Sequence, residues 1–166
     1  MTDASPRPDA RRLFLPDPAA TEALAARLAP HLRAGDALLL EGPIGAGKTH
    51  FARALIGAMQ RAAGQPAEEV PSPSYTLVQT YAAGPLEIWH ADLYRLTGPE
   101  DVGELGLEAG FRTGLSLVEW PDRLGPLAPP DALTLRFAFA AEDSARVVTS
   151  IPCGPRAETL AEAAHG

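Results

Sequence analysis

Seven short segments of the chain are apolar runs or alternate between apolar and polar side chains, as β-strands typically do. They are residues 12–15, 37–40, 76–81, 86–92, 115–119, 133–139 and 146–151. Only the turn 82–85 separates 76–81 from 86–92, so these two segments form a predicted antiparallel hairpin. The runs 37–40 and 115–119 are mostly apolar, as strands buried on both faces are. The pattern therefore predicts a mixed sheet of parallel and antiparallel strands.

Apolar side chains at helical spacing predict two longer helices. The first begins after Asp17, an N-cap residue followed by Pro18, and leucine then recurs every four residues along one face. Pro30 falls inside this pattern and is expected to kink or shorten the last turn of the helix. The second helix covers about residues 47–63 and directly follows a glycine-rich loop. Strands and helices together predict an α/β domain.

The length of 166 residues and the apolar content of 46% suit one domain with an ordinary core. Residues 1–11 are polar, contain two prolines and show no periodicity, so they predict a flexible leader. The folded domain is expected over 12–152. Residues 153–166 are expected to form a C-terminal tail, in which 158–164 is either a frayed helix or disordered.

The net charge of −7 argues against broad contact between this chain alone and nucleic acid, because such contact depends on clustered Lys and Arg. Any connection to nucleic acid is therefore expected to be indirect, through partner proteins. Cys153 is the only cysteine, so no internal disulfide can form. No apolar run approaches 18 residues and no signal-like segment is evident, so we expect a cytoplasmic protein without a membrane span.

Residues 42–49 fit the phosphate-loop pattern G-x-x-x-x-G-K-[ST] and join a strand to a helix. In such a loop, backbone N–H groups and the positive end of the helix dipole hold the phosphates of a nucleotide. Lys48 would reach the β- and γ-phosphates, and the Thr49 hydroxyl would bind Mg²⁺. The phosphate-binding candidates are Gly42, Gly45, Ala46, Gly47, Lys48 and Thr49. The predicted fold class is therefore α/β, a single P-loop NTPase-like domain with a mixed sheet flanked by helices. The alternative is a glycine-rich turn that only caps a helix.

Two acids end predicted strands, Asp92 and Glu119. In open α/β sheets ligands bind outside the carboxyl ends of the strands, so both acids face the loop if their strands run beside 37–40. We assign Asp92 a direct or water-mediated contact with Mg²⁺, and Glu119 either a metal contact or the polarisation of attacking water. The alternative is a pair of solvated acids with no such role.

Several residues near these acids have two interpretations. His90 and Asp92 make a poor zinc pair without a third ligand, so a packed, hydrogen-bonded histidine is the preferred interpretation. Trp120 is either core filler or a mobile aromatic over the nucleotide. Three hydroxyl residues either sense a γ-phosphate or only cap turns, with the second interpretation ahead on sequence alone: Ser72, Ser74 and Thr76.

Two other functions remain open at this point. The chain contains no asparagine, which excludes the GTP-reading motif N-K-x-D. A small-molecule P-loop kinase needs an acceptor-binding acid soon after the loop helix, and Glu68 with Glu69 is the only acidic candidate there. A nucleotide-gated binding module without meaningful turnover is the third possibility, and in that case Glu119→Gln would leave partner binding intact.

Four motifs follow one another along the chain: G-P-I-G-A-G-K-T at 42–49, S-P-S-Y-T-L-V at 72–78, H-A-D-L-Y-R at 90–95 and V-E-W-P at 118–121. Their order and spacing resemble the TsaE (YjeE) family, and the likeness extends over about residues 13–151. The resemblance implies a weak, Mg²⁺-dependent bacterial ATPase that supports formation of threonylcarbamoyladenosine at position 37 of tRNAs reading codons that start with A. It also implies action on the TsaB and TsaD proteins, without the transferase activity itself.

The same resemblance implies roles for individual residues. Residues 45–49 would hold the phosphates of ATP, Thr49 and Glu119 would be Mg²⁺ ligands, and Asp92 would be the Walker-B-type acid. Further residues resemble a switch that moves with the nucleotide: Ser72, Ser74, Thr76 and Trp120. Two more are implied to lie near the adenine: Asp17 and Arg146.

The chain departs from the family pattern at two positions. Ser74 stands where the family usually has Thr, and it keeps the hydroxyl. Pro43 stands where the family usually has Asp, and it offers neither a carboxylate nor a backbone N–H. Unless Glu41 or Glu119 takes over the role of that acid in water activation, we expect weak intrinsic ATPase activity.

Overall fold

The computed structural model describes residues 9–166, so most of the expected leader lies outside the described residues. The strands of its sheet are β1 (Arg11–Leu15), β2 (Ala37–Glu41), β3 (Val78–Ala83), β4 (Leu86–Asp92), β5 (Leu115–Glu119), β6 (Leu133–Phe139) and β7 (Arg146–Pro152). Its α-helices are α1 (Pro18–Leu28), α2 (Lys48–Ala62), α3 (Pro99–Gly103), α4 (Leu107–Thr113) and α5 (Pro155–His165). Two 3₁₀ segments cover Ala29–His31 and Pro121–Leu127. Within this part of the chain, no helix has the length and apolar character needed to cross a membrane.

The seven strands form one mixed sheet in the order β1-β7-β6-β2-β5-β4-β3. Strands β6, β2, β5 and β4 run parallel to one another, whereas β3 pairs antiparallel with β4, β7 with β6 and β1 with β7. Strand β2 lies in the centre and four of its five residues are buried, which explains why its sequence is a continuous apolar run. The predicted α/β class with a mixed sheet is confirmed, and so is the hairpin of β3 and β4.

Helices cover both faces of the sheet. On one face, apolar residues of α1, α2 and α5 pack on inward side chains such as Leu38, Leu40 and Leu117. On the other face, α3 and α4 pack on side chains such as Leu39 and Val118. Because side chains alternate along a strand, neighbouring residues of β2 contribute to different halves of the core. The sheet therefore forms the rigid middle layer on which the carboxyl-end loops are mounted.

The ends of α1 follow from its sequence as expected. The Asp17 carboxylate accepts a hydrogen bond from the Ala20 N–H at 2.9 Å, and Pro18 occupies the first helical position. At its other end, α1 stops at Leu28 and a 3₁₀ turn containing Pro30 follows. Proline lacks the N–H that another α-helical turn would use, so the helix is shortened there.

Strand β3 begins two residues later than predicted, at Val78 and not at Thr76. The preceding turn continues through Leu77, which has a φ of 67° and donates its N–H to the Pro73 carbonyl at 2.7 Å. A left-handed backbone interrupts an extended strand, so the alternation of side chains at 76–77 did not indicate pairing. Thr76 consequently belongs to the loop that precedes the strand.

The expected C-terminal tail is instead helix α5, which belongs to the domain. Its buried residues recur at helical spacing: Ala157, Leu160, Ala161 and Ala164. They pack in the same core as α1, and the Arg27 guanidinium donates to the Ala164 carbonyl at 3.0 Å. Three of the four inward residues are alanines, a weak hydrophobic signal, and this is why the sequence suggested a frayed end.

An ion pair anchors the start of α5 to the loop before β2. The Arg156 guanidinium donates to both carboxylate oxygens of Asp36, at 2.9 and 2.7 Å, and these hydrogen bonds raise the pKa of Arg156. Asp36 is only 4% exposed and also accepts the Arg33 N–H at 2.9 Å. A buried carboxylate is costly without its partners, so this pair holds helix and loop together.

We expect Arg156→Ala to lower the free energy of unfolding by about 2–4 kcal/mol, because it leaves the buried Asp36 carboxylate without its cation. Urea denaturation followed by circular dichroism measures this change. Arg33→Ala is the matched control, since its exposed side chain lies on the same loop and only its backbone N–H contacts Asp36. Equal stabilities of the two variants would contradict the anchoring role.

Candidate nucleotide-binding site

The loop of residues 42–49 leaves the end of β2 and enters α2, as predicted. Gly45 and Gly47 have φ values of 81° and 108°, a left-handed backbone that suits glycine. At Gly42, any Cβ would collide with the carbonyl of Phe137 on β6. The glycines are therefore required both by the curvature of the loop and by its close packing on the neighbouring strand.

The loop presents free backbone donors at the start of α2. The first intrahelical hydrogen bond is donated by Phe51 to the Gly47 carbonyl at 2.9 Å, so the amides of the three preceding residues have no intrahelical acceptor. These donors and the helix dipole favour an anion at this point. Ala46 is fully buried and donates its N–H to the Pro43 carbonyl at 3.2 Å, and its contact with a phosphate stays a prediction.

Lys48 folds back over its own loop. Its ammonium donates to the carbonyls of Gly42 and Pro43 and lies 3.8 Å from the ring centre of Trp120. The side chain is largely buried, and this desolvation lowers the pKa of Lys48, while the negative charges of nearby acids, Glu119 foremost, oppose the effect. The Lys48 ammonium thus contacts loop carbonyls and an aromatic ring, and a bound phosphate would have to replace these partners.

The two strand-end acids lie beside the loop, Glu119 on β5, which is a parallel neighbour of β2, and Asp92 on β4, one strand further along the sheet. Glu119 pairs with Leu40 of β2 on one side and with Asp92 of β4 on the other. Both strands therefore run parallel to β2, but only β5 lies directly beside it. Glu119 is 2% and Asp92 6% exposed, so neither is the solvated strand-end acid of the alternative interpretation.

Each acid has specific hydrogen-bond donors. Glu119 accepts from the Thr49 hydroxyl at 2.8 Å and contacts the ring of His90 at 2.7 Å. Asp92 accepts from the Ser74 hydroxyl at 3.2 Å and from the Tyr94 N–H at 3.0 Å. Hydroxyl and carboxylate oxygens are the ligands that Mg²⁺ prefers, and the pair of Thr49 and Glu119 at the helix start fits this ion. In residues 9–166, no group of three or more His, Cys, Asp and Glu side chains is suited to a metal, so a cation here would need further oxygens from a nucleotide or from water.

A cleft of about 610 Å³ connects these groups. Most of the predicted site residues line it: Gly45, Gly47, Lys48, Thr49, Ser72, Ser74, Asp92, Glu119 and Trp120. Tyr75, Tyr94 and Arg95, which are discussed below, line it as well. One wall is the 71–77 loop, in which the hydroxyls of Ser72 and Ser74 lie 2.8 Å apart. Thr76, on the same loop, does not line the cleft. The volume suits a ligand of nucleotide size.

Asp17 and Arg146 do not line this cleft. Asp17 uses its carboxylate to cap α1. Arg146 approaches the loop from the β7 side, where its guanidinium donates to the Gly45 carbonyl at 3.2 Å and lies 4.9 Å from the ring centre of Phe139. Their position near an adenine stays a prediction.

Trp120 is partly exposed, and its ring also packs against the half of the core that contains Leu39 and Val118. Its backbone has a φ of 59°, which is unusual for a bulky residue, and its ring packs between Lys48 and Tyr94, 4.9 Å from the tyrosine centre. Such local strain tends to occur at functional sites. The ring thereby covers the lysine of the loop.

Sequence reasoning assigned no role to five residues that line the cleft, among them two tyrosines and an arginine on its rim. Tyr75 is 82% exposed, and the Arg95 guanidinium lies 4.3 Å from its ring centre, which connects the 71–77 loop to the segment after β4. Tyr94 packs on Trp120. Tyr75, Tyr94 and Arg95 belong to the motifs S-P-S-Y-T-L-V and H-A-D-L-Y-R. Their position next to Ser74 and Asp92 in these motifs could therefore have indicated that they belong to the site.

Glu41 does not take the place of an acid at position 43. Its carboxylate forms an ion pair with Arg136 of β6 at 2.8 Å, and it does not line the cleft. Glu41 and Arg136 are cross-strand neighbours in the register of β2 and β6, so the sheet itself brings them together. Among the acids named for this role, only Glu119 faces the loop.

This sheet order and loop define an α/β domain of the P-loop type. A family model described as "TsaE: Threonylcarbamoyl adenosine biosynthesis protein TsaE" matches residues 15–148. A Bacillus subtilis protein named tRNA threonylcarbamoyladenosine biosynthesis protein TsaE is 34% identical over 148 residues, 88% of each chain. A Rickettsia felis protein of the same name is 36% identical over 131 residues, 79% of this chain and 74% of its own.

The crystal structure of Bacillus subtilis YdiB has the same fold, with a TM-score of 0.75, 29% identity and 94% of both chains covered. The chain belongs to the TsaE family, which is involved in the biosynthesis of threonylcarbamoyladenosine in tRNA. The resemblance drawn from the four motifs is thereby confirmed.

The lowered pKa of Lys48 predicts a pH dependence of triphosphate binding. Only the charged ammonium attracts phosphate, so the affinity should fall as pH rises through a pKa that lies below the usual 10.5. Titration calorimetry with a non-hydrolysable ATP analogue between about pH 7 and 10 measures this loss. Lys48→Ala, which should bind weakly at every pH, is the control, and a parallel loss of affinity in both proteins would contradict the role of Lys48.

Proposed function

We propose that this chain binds Mg²⁺-ATP in the cleft and hydrolyses it slowly, as the ATPase component of the machinery that makes threonylcarbamoyladenosine in tRNA. The observation that carries the proposal is the hydrogen bond of Thr49 to Glu119 at the start of α2. It brings together the hydroxyl of the phosphate loop and a buried strand-end carboxylate, with Lys48 and Asp92 lining the same cleft. This combination is the one that phosphoryl transfer requires.

Each group has a part in the proposed chemistry. The amides at the start of α2 bind phosphate oxygens, and Lys48 leaves the Gly42 carbonyl to contact them. Thr49 and Glu119 would hold Mg²⁺, and Asp92 would hold it directly or through water. When bound, the ion neutralises negative charge that develops on the phosphates. Glu119, aimed at the loop, also orients the water that attacks.

The 71–77 loop is suited to report the state of the nucleotide. Ser74 donates to Asp92, and Ser72 lies within hydrogen-bond distance of Ser74, so hydroxyls line the cleft in a row towards the acids. A γ-phosphate that competes for these hydroxyls would move the loop, in the manner of nucleotide switches. Trp120 would move away from Lys48 in the same step, since the lysine must turn towards the phosphates.

The partners in this proposal are the TsaB and TsaD proteins, in the cytoplasm. The chain acts on their complex, and it does not itself transfer the threonylcarbamoyl group. A net charge of −7 fits a subunit that reaches tRNA only through that complex, because nucleic acid repels an acidic surface. Family membership connects the chain to this pathway.

Slow turnover follows from the residues that surround the loop. Pro43 supplies neither a carboxylate to activate water nor an N–H to contact phosphate. Glu41 is held by Arg136 and is not available as a replacement. General-base assistance in phosphoryl transfer therefore depends on Glu119, which the proposal also gives to Mg²⁺.

We expect the isolated chain to hydrolyse Mg²⁺-ATP well below about 10 s⁻¹, the middle of the ordinary enzyme range. Phosphate release is measured with a coupled assay, and Lys48→Ala controls for contaminating ATPases. A turnover near 10 s⁻¹ that Lys48→Ala abolishes would contradict the weak activity. Transfer of the γ-phosphate to a metabolite in place of water would instead favour a small-molecule kinase.

A further inference from the structure

His90 on β4 is a buried polar residue whose function is not explained by packing alone. It is 0% exposed and lies on the side of the sheet that α2 covers, two residues before Asp92. Its Nε2 is 2.7 Å from Oε2 of Glu119 on the adjacent strand. In the register of β4 and β5, His90 pairs with Leu117, so Glu119 is its diagonal neighbour on the same face.

The direction of this hydrogen bond follows from its chemistry. An ionised carboxylate only accepts hydrogen bonds, so the Nε2 of His90 carries the hydrogen and donates it. The other ring nitrogen, Nδ1, is buried and has no hydrogen-bond partner among residues 9–166. A neutral ring with its hydrogen on Nε2 leaves at Nδ1 only a lone pair, whereas the opposite tautomer would bury an unpaired N–H.

A fully buried side chain with one unsatisfied nitrogen is uncommon and calls for a physical reason. An apolar residue would fill the same space without that cost. Within the part of the chain that the structure describes, the one polar contact of the ring is the bond to Glu119, so this bond accounts for the presence of a histidine. The ring therefore holds the Glu119 carboxylate by a hydrogen bond, and does not only fill the core.

Glu119 is consequently held at both carboxylate oxygens. Oε1 accepts from Thr49 on α2, and Oε2 contacts His90 on β4. Two donors on different elements fix the rotation of the carboxyl group, which would otherwise have to be ordered by the ligand. The remaining lone pairs then keep one direction relative to the phosphate loop.

We propose that His90 is a positioning residue, whose Nε2–H fixes the Glu119 carboxylate in the orientation that binds Mg²⁺ beside the phosphate loop. The inference rests on the proposed function, because it concerns the same cation. His90 itself would touch neither the nucleotide nor the metal, and would act through Glu119. Hydrogen-bond partners of metal ligands commonly change metal affinity by about 10- to 100-fold when they are removed.

The test compares His90→Met with His90→Gln, two side chains of similar length of which only Gln keeps an N–H donor. Titration calorimetry gives the affinity of the non-hydrolysable analogue AMP-PNP in EDTA and in a series of Mg²⁺ concentrations. We expect His90→Met to raise the Mg²⁺ concentration at half-maximal effect by about 10- to 100-fold, with the affinity in EDTA unchanged, and His90→Gln to restore most of the loss.

The outcomes separate this inference from the proposed function. If AMP-PNP binds the wild-type chain without any dependence on Mg²⁺, the proposed function fails and the inference with it. If wild type depends on Mg²⁺ and His90→Met shows the same dependence, only the role of His90 is overturned. An equal loss of affinity in EDTA and in Mg²⁺ would indicate a structural role alone, which also overturns it.

A measurement on the wild-type chain keeps the test decisive if His90→Met does not fold. Nitrogen-15 NMR of the histidine rings distinguishes the two tautomers, and the four histidines of the chain make assignment practical. We expect the hydrogen of His90 on Nε2, and a shift of that resonance when Mg²⁺ is added with AMP-PNP. A hydrogen on Nδ1, or a chemical shift that does not change when Mg²⁺ is added, would overturn the proposal.

Discussion

The carboxylate of Glu119 is the constraint on which the site depends. An ionised side chain that is only 2% exposed is stable only with partners, and its partners come from two other elements, Thr49 on α2 and His90 on β4. These contacts require β2, β5 and β4 to be parallel neighbours in the observed register. Sheet topology, the start of the loop helix and the proposed cation site are therefore parts of one arrangement.

Two bulky residues in the segments that border the cleft have an unusual, left-handed backbone. Trp120 takes a left-handed backbone directly after β5 and covers the Lys48 ammonium, and Leu77 takes one before β3 and ends the 71–77 loop. Neither conformation is favourable for a side chain of this size. Both occur at the carboxyl-end side of the sheet, and strained backbone of this kind tends to cluster at functional sites.

Much of this arrangement could be predicted from the sequence, and the failures have physical reasons. The loop motif, the hairpin and the strand-end position of Glu119 each follow from local patterns. Helix α5 was missed because its buried face is mostly alanine, and Thr76 was placed in a strand because side-chain alternation does not reveal a left-handed Leu77. The stacking of Arg95 on Tyr75 depends on tertiary structure, which no local pattern encodes.

The central claim is that nucleotide turnover at this cleft is coupled to the partner proteins of tRNA modification. The most direct measurement is Mg²⁺-ATP hydrolysis by the purified chain, alone and with TsaB and TsaD added, in wild type and in Lys48→Ala. The account predicts that the partners raise turnover in the wild-type chain and that Lys48→Ala abolishes the increase. An ATP turnover that does not change when TsaB and TsaD are added, with phosphate appearing on a small-molecule acceptor, would contradict this coupling.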